Sequence, residues 1–273
     1  MKLVSFIRDN GVTSWGIATD GHVVDCGGQA PSLKVALAGG TAPQVSGKRY
    51  PMSEVTLLPP IPDPDKIICV GLNYLTHIQE GGRDVPKFPT IFTRWANTQV
   101  GHEQNLVRPR QSETLDFEGE LAVIIGRRAR HVSKAEAMEC VAGYSCYNDG
   151  SVREWQRHTS QFTPGKNFPG TGGFGPWITT RDEIADISKA SLVTRVNGEE
   201  TQRATLDDLV FDVPSLVEYC SGFTTLEPGD VILTGTTGGV GAYRTPPLWL
   251  KPGDTVEVEI SGVGLLRNGV VAE

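Results

Sequence analysis

Two glutamates stand two residues apart in a segment that turns from acidic to apolar. In the segment 115–126, LDFEGELAVIIG, Glu118 and Glu120 share one face of a predicted strand with Asp116, and both faces beyond Glu120 are apolar. Two carboxylates about 4 Å apart at the edge of an interior repel by roughly 4 kcal/mol at an effective dielectric near 20. The pattern therefore predicts a cation between them and favours a metal site, with a solvated strand edge as the alternative.

A histidine and a glutamate lie three residues apart on a segment bracketed by glycines. His77 and Glu80 fall between Gly71 and the pair Gly81-Gly82, in a stretch that predicts one or two turns of helix. Residues three apart on a helix are neighbours, so the carboxylate can orient the imidazole and raise its basicity. The glycines would let the segment move. The alternative is an ordinary surface pair.

Asp149 and Lys166 are two further charged residues in positions suited to a site. Asp149 closes a predicted strand and precedes a glycine, so it is either a carboxylate presented for catalysis or metal binding or a routine turn cap. Lys166 is the one charge in the segment 161–177, which is rich in glycine, proline and aromatic residues. It either snorkels to solvent or is held towards an anion, and the composition of the loop favours a functional role.

A glycine-rich loop follows another predicted strand. The segment 231–241, VILTGTTGGVG, lacks the Gly-Lys-Ser/Thr ending of a nucleotide-binding P-loop. Its threonines and exposed amides suit a carboxylate better than a nucleoside triphosphate.

The composition is that of an ordinary globular chain and excludes several partners. The 273 residues carry a net charge of −7, which speaks against nucleic acid and anionic membranes because those surfaces attract basic patches. No apolar run approaches the ~20 residues that span a bilayer, and the N-terminus lacks a signal-peptide core, so we expect a cytoplasmic protein. Five scattered cysteines without a Cys-x-x-Cys suggest neither a disulfide framework nor a zinc site.

The elements that must position these residues are mainly short strands. Thirty-two glycines and eighteen prolines predict many turns and hence a β-rich α+β fold with few long helices. We expect residues 1–62 to form a small N-terminal domain, with three strands and a helix near 32–38, and a proline-rich crossing to lead into a main domain at 63–273. Further helices are predicted from Ser133, where Glu136 completes a capping box, and over 213–221.

Taken together, these segments resemble the fumarylacetoacetate hydrolase family over most of the chain from Lys66 to Asn268. The motifs that carry the resemblance are VGLNY at 70–74 with His77 and Glu80, DFEGELA at 116–122, YND at 147–149 with Arg153 and Gln156, GKNF at 165–168, GPW at 175–177, and the segment from PGD at 228–230 to Gly241. The resemblance implies a mixed β-roll catalytic domain beside a small N-terminal α/β domain, usually in a homodimer.

The resemblance also implies a role for each site residue. Glu118, Glu120 and Asp149 would hold a divalent ion, most often Mg²⁺ and otherwise Mn²⁺ or Ca²⁺, which suits three hard oxygen ligands. His77 and Glu80 match the family's water-activating pair on a mobile lid. A keto-acid substrate would be held by a set of polar residues, with Lys166 also catalytic: Lys166, Arg153, Gln156, Thr236 and Tyr74. Thr237 stands where the family usually has proline.

The expected function is hydrolysis of a C–C bond in an acylpyruvate-like β-diketo acid, in the catabolism of aromatic compounds. The metal would act as a Lewis acid that stabilises the enolate, and Lys166 and Arg153 would add positive charge. Without an attacking water, the same enolate serves an oxaloacetate-type decarboxylase or a hydroxymuconate-type isomerase, which is the alternative. A non-catalytic binding protein is a third hypothesis, and the intact acidic residues with His77 and Glu80 argue against it.

Overall fold

The computed structural model describes residues 1–40 and 42–273, and short strands dominate them. Within these residues nineteen β-strands form: β1 Lys2–Ile7, β2 Thr13–Thr19, β3 His22–Asp25, β4 Arg49–Pro51, β5 Thr56–Leu57, β6 Ile67–Gly71, β7 Thr90–Arg94, β8 Gln99–Val100, β9 Leu106–Arg108, β10 Leu115–Asp116, β11 Gly119–Ile125, β12 Val141–Asp149, β13 Ser151–Val152, β14 Gly172–Thr180, β15 Ser191–Val196, β16 Glu199–Thr205, β17 Val231–Thr236, β18 Thr255–Ile260 and β19 Gly264–Ala272. The six α-helices of the same residues are α1 Leu33–Ala38, α2 Leu75–Glu80, α3 Lys134–Ala137, α4 Arg153–Gln156, α5 Thr163–Lys166 and α6 Val213–Phe223.

The strands build one large mixed sheet and two smaller ones. The large sheet has twelve strands in the order β4-β3-β2-β1-β14-β12-β11-β17-β6-β7, with β5 against β1 and β8 against β14. Most neighbours are antiparallel, but β17 runs parallel to β6. A second sheet has the order β16-β15-β18-β19-β9, and β10 pairs with β13. This β-rich architecture with short helices confirms the predicted fold class.

Strand β11 is central, and its residues alternate between two cores. All seven of its residues are buried. Leu121 and Val123 belong to a core shared with α6 and the second sheet, whereas Ala122 and Ile124 belong to a core shared with Trp15 of β2. The apolar run beyond Glu120 is therefore a strand covered on both faces, as its composition predicts.

One predicted strand is interrupted. The segment 115–126 forms β10 and β11, and Phe117 and Glu118 lie between them outside any strand. The amide of Phe117 donates to the carboxylate of Asp116 at 2.8 Å, and the amide of Glu118 donates to Asn148 Oδ1 at 2.9 Å. Side chains thus satisfy the backbone groups that a continuous ladder would have paired. The break separates a strand that pairs with β13 from one that pairs with β12 and β17.

The N-terminal strands continue the large sheet. Strand β1 pairs with β2 on one side and with β14 on the other, and α1 begins after Ser32, whose hydroxyl accepts from the amide of Val35. The division into 1–62 and 63–273 stays a prediction. All five cysteines are buried, and none forms a disulfide among the described residues. Among those residues, no helix is long and apolar enough to cross a membrane.

Candidate active site

Three carboxylates meet where β11 begins and β12 ends. The antiparallel register pairs Gly119 with Asn148, which brings Glu118 beside Asp149, and the amide of Asp149 donates to the Glu118 carbonyl at 2.8 Å. Glu118, Glu120 and Asp149 each offer an oxygen, and these oxygens lie within 4.8 Å of one another in a buried position. The structure therefore brings together the three residues that the sequence proposed as metal ligands.

Two cations contact the carboxylate of Glu118. Lys166 Nζ lies 2.7 Å from Glu118 Oε2 and 2.5 Å from Asp149 Oδ2. Arg153 Nη1 lies 2.6 Å from Glu118 Oε1. Burial alone would raise the pKa of Glu118, but Arg153 and Lys166 outweigh it and lower the pKa to about 2. Repulsion between the two glutamates predicts a cation beside them. Lys166 is one such cation.

Glu120 is held differently from Glu118. Its Oε2 accepts from the amide of Gly235 at 2.9 Å, and it forms no ion pair with any described residue. Burial, and then the nearby charges of Asp149 and Glu118, hold its pKa well above the ordinary value. A divalent cation would relieve both effects, and three carboxylate oxygens are the donors that Mg²⁺, Mn²⁺ and Ca²⁺ prefer. The residues present therefore fit a divalent ion.

Asp116 connects Arg153 to the end of the glycine-rich loop. Its Oδ2 accepts from Arg153 Nε at 2.7 Å, and its two oxygens accept from the amides of Gly241 and Ala242 at 2.8 and 2.9 Å. A Cβ at Gly241 would lie 2.5 Å from Asp116 Oδ1 and 1.9 Å from the Leu248 carbonyl, so only glycine fits there. Asp116 thus orients Arg153 and does not belong to the carboxylate cluster.

Arg94, at the end of β7, is a buried partner of Asp149 that sequence reasoning missed. Its Nη1 donates to Asp149 Oδ1 at 2.6 Å and to the Gly150 carbonyl at 2.9 Å, and its Nη2 donates to Thr171 Oγ1 at 2.8 Å. The side chain is fully buried. An arginine directly after the apolar stretch of a strand was the available signal, because charged side chains are almost never fully buried without a partner.

A cavity of about 390 Å³ opens beside the cluster. Its lining includes seven of the residues that the sequence proposed for the site, namely His77, Glu118, Glu120, Arg153, Gln156, Lys166 and Thr236. Asp149 contacts Lys166 but does not line the cavity. The structure thus collects most of the proposed residues around one cavity.

His77 and Glu80 lie on α2, which is the predicted short helix. His77 Nδ1 is 3.5 Å from Glu80 Oε2, and Glu80 also accepts from the amide of Gly239 at 3.1 Å. His77 lines the cavity and Glu80 does not. The imidazole therefore faces the space beside the cluster, while the carboxylate joins α2 to the glycine-rich loop. Gly82 after the helix has a φ of 60°.

The remaining residues predicted for the site differ in how far they lie from the cavity. The hydroxyl of Thr236 donates to the Gly119 carbonyl at 2.9 Å and accepts from Gln202 Nε2 at 2.8 Å. Thr237 keeps a hydroxyl 3.0 Å from that of Thr76 on α2. Tyr74 is fully buried in the core and does not line the cavity, and its hydroxyl has no hydrogen-bond partner among the described residues. Burial raises the pKa of Tyr74 above its ordinary value.

Several cavity residues were not anticipated from the sequence. Phe92 and Phe162 form an edge-to-face pair with ring centroids 5.6 Å apart, and Lys166 Nζ lies 5.1 Å from the centre of the Phe92 ring. Arg83 and Arg157 also line the cavity. Phe162 lies in the aromatic loop that the sequence singled out, but neither arginine belongs to any motif described above.

Two family models match successive segments of the chain. A model described as fumarylacetoacetate (FAA) hydrolase C-terminal matches residues 66–271. A second, described as Rv2993c-like, N-terminal, matches residues 1–60.

Similar proteins include characterised enzymes. A human protein, mitochondrial oxaloacetate tautomerase FAHD2A, is 44% identical over 223 residues, which cover 81% of this chain and 71% of the relative. The solved fumarylacetoacetate hydrolase from Exiguobacterium antarcticum is 37% identical, with a TM-score of 0.90 over 100% of both chains. A maleylpyruvate hydrolase from Sphingobium sp. SYK-6, solved with manganese (II) and pyruvate, is 26% identical, with a TM-score of 0.81 over 100% of this chain and 99% of that one.

Proposed function

Because the chain belongs to the fumarylacetoacetate hydrolase family, we propose that it interconverts the keto and enol forms of an oxaloacetate-type acid. The alternative expected from the sequence was an oxaloacetate-type decarboxylase or a hydroxymuconate-type isomerase. Tautomerisation shares the enolate of those reactions and replaces acylpyruvate hydrolysis as the leading hypothesis. The name of the human relative, an oxaloacetate tautomerase at 44% identity, supports the change. Family membership alone would not select a reaction, since one fold hosts several chemistries.

The observation that carries the proposal is that His77 lines the same cavity as Lys166 and Arg153, the cations of its inner wall. Lys166 and Arg153 line the inner end with Glu118 and Glu120, and His77 lines the same space from α2. Positive charge favours the negatively charged enolate over the neutral ketone, and an imidazole can accept the proton that enolisation releases. These are the two requirements of tautomerisation.

A divalent ion would be held by Glu118, Glu120 and Asp149, and when bound it would supply Lewis-acid stabilisation of an enolate. The chain's own residues prepare the rest of the site. Arg94 and Lys166 hold Asp149, while Arg153 and Lys166 hold Glu118, so the carboxylates are already oriented. This preorganisation lowers the reorganisation that the reaction would require.

The proton transfers follow from the positions of His77 and Glu80. The imidazole takes a proton from the carbon beside the keto group, and the electron pair of that C–H bond forms the enolate. Glu80 Oε2, 3.5 Å from His77 Nδ1, is placed to orient the imidazole. The proton then returns to the enolate oxygen, so the product is an isomer and neither water nor another reactant is consumed.

Acylpyruvate hydrolysis remains the second candidate, and the contact between His77 and Glu80 is the observation that favours it. A histidine oriented by a carboxylate can remove a proton from water as readily as from carbon. The two reactions differ in whether water attacks the substrate, so their products separate them.

One assay tests the proposal against its alternatives. The enzyme with Mg²⁺ or Mn²⁺ is mixed with oxaloacetate freshly dissolved as its enol, and enol absorbance is followed while NMR identifies the products. We expect rapid equilibration with the keto form before pyruvate accumulates. Release of pyruvate and carbon dioxide at the same rate would indicate a decarboxylase, and faster cleavage of a panel of acylpyruvates would indicate a hydrolase. Equilibration no faster than in buffer would contradict the proposal.

A further inference from the structure

We propose that Arg83 and Arg157 form a subsite for the second carboxylate of a dicarboxylic substrate, at the mouth of the cavity. We call these two residues the rim pair. The inference rests on the proposed function, because it assumes that the keto-acid end of the substrate lies against the inner wall. It also identifies the residues that recognise the second carboxylate, and these residues determine which acids the enzyme selects.

The rim pair comes from two separate segments that line one space. Arg83 follows Gly82, directly beyond α2, and Arg157 follows α4, where its amide donates to the Arg153 carbonyl at 3.2 Å. Both residues line the cavity and are solvent-exposed, whereas Lys166 and Arg153 are buried at its inner end. The cavity therefore has cations at its mouth as well as at its inner end.

No ion pair among the described residues accounts for the two charges of the rim pair. Among residues 1–40 and 42–273, neither guanidinium lies within ion-pair or hydrogen-bond distance of a carboxylate. Some arginines elsewhere on the surface are paired, as Arg128 is with Glu227 and Arg203 with Glu200. Two unpaired guanidinium groups on one cavity, in a chain of net charge −7, are suited to an anion that arrives from solution.

Neighbouring groups make the same region suited to a carboxylate. Thr159 and Ser160 follow Arg157 and line the cavity too, so hydroxyl donors lie on the same segment as the guanidinium. Arginine binds carboxylates through two parallel N–H donors, and hydroxyl groups can complete the remaining hydrogen bonds.

The size of the cavity agrees with a substrate that extends beyond its keto-acid end. The cavity volume of about 390 Å³ lies within the roughly 300–1,000 Å³ of small-molecule sites. The three-carbon keto-acid end alone would leave much of this space filled by solvent. A substrate with a second carboxylate would use the space that leads to the rim pair.

The test compares a diacid with a monoacid that shares its reactive end. Hydrogen–deuterium exchange at the carbon beside the keto group is followed by NMR for oxaloacetate and for 2-oxobutanoate, with Mg²⁺ present. The variants are Arg83→Gln, Arg157→Gln and the double variant. Arg128→Gln is the matched control, because its guanidinium pairs with Glu227 and does not line the cavity.

We expect each rim substitution to raise KM for oxaloacetate about tenfold, the size of a lost hydrogen bond to a charged group. The ratio of kcat/KM between the diacid and the monoacid should fall by the same factor, and Arg128→Gln should leave it unchanged. The conservative variant Arg157→Lys should recover part of the loss, since it keeps the charge without the bidentate geometry. An unchanged ratio in the double variant would overturn the inference.

A binding measurement separates failure of the inference from failure of the proposed function. If the parent enzyme exchanges no hydrogen on either acid, the proposed function fails. Calorimetric titration with 2-oxoglutarate and 2-oxobutanoate, in the presence of Mg²⁺, still tests the subsite. Tighter binding of the diacid that is lost in the double variant supports the rim pair, and equal affinities for the two acids in the parent protein refute it.

Discussion

The inner wall of the cavity and helix α2 face the same space, but they are held in different ways. By the inner wall we mean the buried charges Glu118, Arg153 and Lys166, which line the cavity, together with Asp149 and Arg94, which pair with them without lining it. The contacts within this set are 2.5 to 2.7 Å long. Helix α2 has a single buried residue, Ile78, and its His77–Glu80 and Glu80–Gly239 contacts are 3.1 to 3.5 Å long.

This difference assigns different tasks to the two regions. Charges that are buried and paired on every side cannot move independently, so the inner wall keeps its geometry before a ligand arrives. A short, partly exposed helix that ends at a glycine can shift with little loss of packing. We therefore expect substitutions in the inner wall to affect ion binding and stability, and substitutions in α2 to affect turnover.

The largest effect should come from removing divalent ions. EDTA treatment should reduce turnover to the background rate because it removes the Lewis acid that Glu118, Glu120 and Asp149 would hold, and Mg²⁺ or Mn²⁺ should restore it. Calorimetry should detect one ion per chain. If elemental analysis shows that a fully active protein is metal-free, the three carboxylates do not hold an ion that the reaction needs.

Arg94→Met should destabilise the protein by about 3–5 kcal/mol, because it leaves Asp149 as a buried charge that has lost one of its two cations. Denaturant unfolding of the metal-free protein measures the loss. Arg94→Lys keeps the charge and should recover part of it. If both variants unfold at the parent midpoint, the inner wall is less tightly coupled than its geometry indicates.

Lys166→Ala should lower turnover about 10²–10³-fold, as expected for loss of a donor that faces developing negative charge. The rate is measured at saturating substrate and metal. Lys189→Ala, on an exposed lysine whose nearest carboxylate is 4.0 Å away at Asp207, serves as the control. A Lys166→Ala enzyme with normal turnover would show that this lysine only balances charge.

His77→Ala should lower turnover about a hundredfold through loss of the general base, while the affinity for Mn²⁺ stays at the parent value. Kinetics and calorimetry on the same preparation give both quantities, with His22→Ala on the exposed end of β3 as control. Equal loss of turnover and of ion affinity would contradict the separation between α2 and the inner wall.

The smallest effect should come from Gly82→Ala. Nothing lies within 4 Å of the added Cβ, but a φ of 60° costs an L-residue about 1–2 kcal/mol. We expect a modest loss of stability and a few-fold change in turnover with no change in ion affinity. Gly222→Ala within α6 has equal space and an ordinary φ, so it should be neutral or stabilising.

Sequence patterns predicted those features of the fold that depend on residues close together in the chain. The capping box of Ser133 and Glu136 is present at the start of α3. The apolar half of β11 is covered on both faces. Each of these features depends on residues within a few positions of one another, which is the range over which propensity and periodicity act.

The arrangement of the site depends on contacts that no local pattern carries. Arg94 meets Asp149 across 55 residues, and Glu118 and Lys166 are 48 residues apart. The sequence identified Glu118, Glu120, Asp149 and Lys166 by type and by family resemblance, but it did not indicate that Lys166 would lie between two of the carboxylates. The break at Phe117 and Glu118 was missed for the same reason, since Asn148 supplies the competing acceptor.

The hydrogen bonds of Asp116 also determine when the site can form during synthesis of the chain. Its partner Arg153 emerges from the ribosome 37 residues later, and the amide of Gly241 emerges 125 residues later. Until then a carboxylate destined for full burial lacks two of its donors and stays hydrated. A nascent chain that ends before Gly241 can contain β11, β12 and Arg153, but not the loop amides that hold Asp116 in place. Pulse-chase proteolysis of stalled chains should therefore find this region protected only after the glycine-rich loop has left the exit tunnel.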